Sequence, residues 1–106
     1  MEIIEIQQQI EKAIEWFGKN YKELALAEAE YKHQDDMKKT QLAIAEIEEK
    51  GSTQAETLRN GLASKKYIDF LFKLDIVRAK YLEKKAEYAY KDAAFQGLRS
   101  LNKNIQ

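Results

Sequence analysis

The chain contains no proline among its 106 residues. Proline removes a backbone donor and clashes with the preceding helical turn, so its absence permits very long helices. Ala, Glu, Lys, Leu and Gln, all good helix formers, dominate the rest, and glycine occurs four times. A chain this short makes one small domain with a limited core, so a partner or a second copy is expected to cover apolar surface. Cysteine is absent, which excludes a disulfide framework and thiolate chemistry.

Apolar spacing locates the helices. Ile10, Ile14, Phe17, Tyr21, Leu24, Tyr31, Leu42 and Ala45 recur at helical steps and predict one long helix over about residues 2–49. Glu28, Asp35 and Lys38 make the middle of that seam polar. Gly18 lies inside it and marks either a mild kink or a close backbone approach, at a cost of about 1 kcal/mol relative to alanine.

"EEKGSTQAE", residues 48–56, carries turn chemistry. Gly51 suits a left-handed C′ position, and Lys50 suits the negative end of the helix dipole. Thr53 and Glu56 have capping-box spacing and predict a short helix over about 54–61, ending near Asn60-Gly61. Ser64 is placed to cap a final helix over about 65–101, striped by Tyr67, Leu71, Leu74, Tyr81, Tyr88 and Phe95, with a frayed "NKNIQ" tail.

The expected architecture is all-α: one domain over 1–106, a long antiparallel helical hairpin with a short helix in the connection. If residue 49 lies near residue 65, paired positions sum to about 114. Asp35 and Asp36 then face Arg78 and Lys80, while the first dozen residues overhang. Ile3, Ile4, Ile6 and Ile10 lie in that overhang and form a candidate self-association surface.

No apolar run approaches the roughly 18–20 residues that span a bilayer, so no membrane role is expected. The acidic start "MEIIEIQQQ" lacks a basic region and a cleavage site, which leaves the cytoplasm as the expected compartment.

Little chemistry is encoded. Glu30 and His33 have the E-x-x-H spacing of di-iron bundles, but such a site needs two of these motifs and the chain has one histidine. One histidine and no cysteine build no convincing nucleophilic triad, and no glycine-rich phosphate loop is present. No catalytic residue, metal or cofactor is expected, and an enzyme is the least favoured class.

Charge is more informative. The net charge is zero, yet residues 1–64 carry 8 basic and 13 acidic side chains, and residues 65–106 carry 10 and 5. Either the halves attract each other, or the basic surplus meets an anion such as a nucleic-acid backbone. Lys65, Lys66, Lys73, Lys80, Lys84 and Lys85 alternate with tyrosines along the last helix. Lysines track phosphates and aromatic faces stack bases without sequence preference, although tyrosine stripes and lysine coats are also ordinary helix surface.

Two resemblances bear on function. Trp16-Phe17-Gly18 with Tyr88 and Asp92 gives the W-x-G and Y-x-x-x-D features of the small secreted WXG hairpins. That family places its triplet at the bend, whereas the turn chemistry here lies near residue 51.

"EWFGKNYKELALAEAEYK", "GSTQAETLRNGLASKKYIDFL" and "AFQGLRSLNKNI" together resemble the UvsY-type recombination mediators of bacteriophages and their short hairpin relatives, over about half the chain. That resemblance implies a non-enzymatic, oligomeric protein of the bacterial cytoplasm that binds single-stranded DNA. Such a protein assists recombinase loading where a single-strand-binding protein is seated. It implies that the six lysines named above contact DNA. The competing expectation is a phage module or inhibitor that engages a host protein through a helical face.

Overall fold

The computed structural model describes residues 2–105. They form an all-α antiparallel helical hairpin with a short helix in the connection. The helices are α1 (Ile3–Asp36), α2 (Lys38–Glu48), α3 (Gln54–Leu62) and α4 (Lys65–Ile105).

Only Met37 separates α1 from α2. Helical hydrogen bonds flank it, from the Met37 amide to the His33 carbonyl and from the Gln41 amide to the Met37 carbonyl. Asp35-Asp36 before it and Lys38-Lys39 after it carry the wrong signs for true helix ends. Met37 is therefore a one-residue distortion within one helical run. α1 continues through Gly18 without interruption. The Trp16-Phe17-Gly18 triplet accordingly forms no turn, and the WXG-like placement of the bend does not apply.

Reversal occurs at residues 49–53. Thr53, in extended conformation, accepts the Glu56 amide at 3.1 Å and caps α3. The Glu56 carboxylate takes the Ser52 hydroxyl at 2.6 Å, so the reciprocal half of the capping box goes to Ser52. The Thr57 hydroxyl accepts the Gly51 amide at 3.0 Å and ties the loop to the helix it precedes. Gly51 does not use the left-handed region, since no described residue has a positive φ. The helix before the turn ends instead on Glu49, at φ −112° and ψ 32°. Ser64 is buried and its carbonyl accepts the Ile68 amide at the start of α4.

The chain divides into two compact units. Unit 2, Glu28–Lys80, centres on buried Ala45, Tyr67, Phe70 and Leu74, with Tyr31, Met37, Leu42 and Leu71 packed against them. Lys66 meets Glu48 at 3.1 Å. Asp35, Asp36, Arg78 and Lys80 are exposed and form no ion pair among the described residues, so the expected polar match across the seam is not made. Gly61 is buried, and a Cβ there would stand 2.8 Å from Glu46 Cγ and 3.3 Å from the Glu46 amide nitrogen. Its lack of a side chain lets α3 lie close against α2.

Unit 1, Met1–Ala27 with Tyr81–Gln106, is built on aromatic side chains. Phe17 lies 4.9 Å from Tyr88 and 5.7 Å from Phe95 between ring centroids, and Trp16 lies 5.4 Å from Phe17 and 5.7 Å from Tyr88. Its inward residues on α1 are Ile6, Ile10, Ala13, Phe17, Asn20, Leu24 and Ala27, at alternating steps of four and three. On α4 they are Tyr81, Lys84, Tyr88, Lys91, Phe95, Leu98 and Asn102, at steps of three and four. Ile14 and Tyr21, expected on the seam, are 57% and 51% exposed.

The expected overhang is also absent. Glu23 pairs with Lys84 at 2.9 Å, and these numbers sum to 107 rather than 114. With α4 helical to Ile105, the first turns of α1 have a neighbour. Ile6 is fully buried, and Ile10 lines a cavity with Asn102 and Lys103. Of the four isoleucines expected to lack an intrachain partner, Ile3 and Ile4 remain exposed.

These environments separate the glycines. Nothing lies within 4 Å of a Cβ built on Gly18. Gly18→Ala is expected to raise unfolding stability by about 0.5–1 kcal/mol. Gly61→Ala should lower it by about 1–3 kcal/mol through overpacking against Glu46. Urea-melt midpoints of the two variants check both signs.

Candidate nucleic-acid interface

The six candidate lysines all lie on α4, yet their surroundings divide them. In unit 2, Lys65, Lys66, Lys73 and Lys80 are exposed. Lys66, Lys73 and Lys80 are seven residues apart and share one face, each step rising about 10 Å. Lys66 is engaged by Glu48. Lys65, Lys73 and Lys80 join no ion pair among the described residues, so their charge is available to an external anion.

Beside this row runs an apolar stripe absent from the expected site. Ile68, Phe72 and Ile76 recur at steps of four and are 38%, 64% and 69% exposed. They point away from the side of α4 that carries Tyr67, Phe70 and Leu74. The signal was present in the sequence as a second apolar stripe, on the opposite side of the helix at roughly 170° from the first.

In unit 1, Lys84 is half-buried on the seam and held by Glu23. The hydrogen bond that Lys84 donates to Glu23, and then the Glu23 charge, raise the Lys84 pKa above 10.5; desolvation opposes them, and Glu87 and Glu83 add smaller raising contributions. Lys84 therefore acts within the chain and is not part of an outer ridge. Lys85 is exposed, with its ammonium 5.8 Å from the Tyr81 ring centroid.

Other cationic groups that the candidate set omits lie against aromatic rings in unit 1. Lys91 Nζ stands 5.3 Å from the Trp16 ring centroid and the Arg99 guanidinium 5.8 Å from that of Phe95. Lys12 lines a cleft with Trp16, Phe17, Lys91 and Phe95. Spacing along α4 alone did not reveal them as a group, because Lys12 and Trp16 come from the other helix. A neighbouring cavity contains Arg99, Lys103 and Asn102, whose side-chain oxygen is buried without a hydrogen-bond donor.

His33 is exposed, and no group of three or more acidic or histidine side chains is placed to hold a metal among the described residues. No helix among them is long and apolar enough to cross a membrane. No protein-family model matches the chain, and neither a curated protein nor a solved structure matches it.

The Lys84 geometry has a pH consequence. A pKa raised on folding stabilises the folded state fully below pH 10.5, and that contribution is lost as pH rises through the higher folded value. Glu23→Gln should move the Lys84 ammonium back toward 10.5. Nitrogen-15 NMR titration of the lysine side chains reads that shift, and an unchanged titration would mean the pair is not formed.

Proposed function

We propose that the protein is a non-enzymatic DNA-recombination accessory that binds single-stranded DNA and assists recombinase loading. The observation that carries this reading is the set of exposed, unpaired lysines 65, 73 and 80 on α4. Three free ammonium groups on one short length of helix suit a flexible phosphate backbone, and binding of this kind is salt-dependent by nature. Ile3 and Ile4 supply exposed apolar surface for assembly into a homo-oligomer at the end of unit 1. The recombinase and a single-strand-binding protein are the protein partners this role requires, and the bacterial cytoplasm is its setting.

A second reading is a protein-interaction module that docks a helical face on a host protein. Exposed Ile68, Phe72 and Ile76 favour it, because recognition of a helix by a groove relies on anchors at such spacing. Phe72→Gln should abolish that docking and leave DNA affinity intact, which a pull-down beside a DNA titration would separate.

The DNA-binding reading predicts an affinity that falls with salt by a log–log slope of about −0.7 for each phosphate neutralised on a single strand. Replacing Lys65, Lys73 and Lys80 together with Glu should make the slope shallower by about 2. Fluorescence anisotropy of a labelled oligothymidylate measures this. Absence of binding at low salt would remove the reading.

A further inference from the structure

The cleft of unit 1 is lined by Lys12, Trp16, Phe17, Lys91, Phe95 and Leu98, among others, and encloses about 350 Å³. That volume lies within the range of small-ligand sites. Its lining is aromatic and basic. Acidic residues number 18 of 106 in the chain, yet none lines this cleft. Lys12 and Lys91 join no ion pair among the described residues. The site thus combines aromatic walls with two uncompensated cations.

We propose that this cleft receives one unpaired nucleobase of a single-stranded nucleic acid, stacked on Trp16, while Lys12 and Lys91 hold the adjoining phosphate. The proposal rests on the DNA-binding reading above and names where the bases go. The Lys91 ammonium now faces the indole at 5.3 Å. A base entering the cleft takes that aromatic face, and the flexible lysine stem swings its charge to the phosphate. One weak cation–π contact is exchanged for a stack and a charge pair. Aromatic stacking accepts any base, so the site imposes no sequence preference.

Trp16 is the sole tryptophan, so its fluorescence reports on this cleft alone. Titration of the full chain with an oligothymidylate should quench Trp16 in step with the anisotropy change of the labelled strand. Trp16→Ala should weaken binding about tenfold to a hundredfold. Because that variant also removes packing against Phe17 and Tyr88, Lys12→Glu with Lys91→Glu is the second test. It keeps the aromatic cluster and should lose the quenching. An abasic strand of the same length should bind without quenching.

Binding with unchanged Trp16 emission, and with equal affinity in the double lysine variant, would overturn the cleft and leave the DNA-binding reading standing. Equal affinity for duplex DNA, whose bases are already stacked, would do the same. Quenching that follows protein concentration without any oligonucleotide would overturn the proposal by giving the cleft to a second copy of the chain. No binding at low salt would remove both.

Discussion

The constraint on which this molecule depends is the spacing of its inward residues. On α4 the residues least exposed to solvent step by three and four from Tyr67 to Asn102. This average of 3.5 residues is the repeat at which long packed helices keep one seam facing a partner. A chain without proline sustains such a repeat for ten turns, but it does not supply apolar residues for every step. Lys84, Lys91 and Asn102 occupy seam positions. Each must direct its polar end out of the contact or find a partner there. Lys84 finds Glu23 and Lys91 reaches the Trp16 ring, while the Asn102 oxygen remains without a donor. Lys84 and Lys91 lie on the seam because the repeat, not apolar content, decides which residues of α4 face inward.

The turn was legible where its chemistry is local. Thr53 as an N-cap depends on an amide three residues away, and the residue types alone announce it. The hairpin itself was legible for the same reason, since a strong stop lies between two uninterrupted helical patterns. The conformation of Gly51 was not. A C-terminal glycine usually signals a left-handed cap, but the Thr57 hydroxyl already satisfies the Gly51 amide from six residues downstream. The role of Gly61 was equally hidden, because it lies in the proximity of α2 and α3 and not in either helix.

The seam of α1 shows a different limit. Large apolar side chains drew attention to Ile14 and Tyr21, but Ala13 and Asn20, one position earlier, face inward. Small and polar residues are weak signals, yet they set the register. A register seven residues shorter in unit 1 than the turn alone suggested brings the polar end of α4 beside the first turn of α1, burying Ile6. It also converts part of the presumed lysine ridge into intrachain pairing. What the sequence left hidden is the pairing: Lys66 and Lys84 engage Glu48 and Glu23, whereas Lys65, Lys73, Lys80 and Lys85 join no ion pair among the described residues. The cleft holding Lys12 and Lys91 required knowing which residues of the two helices meet.

The pairing of Trp16 with the far end of α4 underlies both the aromatic core of unit 1 and the cleft beside it. Nuclear Overhauser contacts from the single indole ring test it most directly, recorded on a mixture of labelled and unlabelled chains so that contacts within a chain are distinguished from those between chains. The account predicts intrachain contacts from Trp16 to the Tyr88 ring and to the Lys91 side chain. Their absence, or their appearance between chains alone, would contradict it.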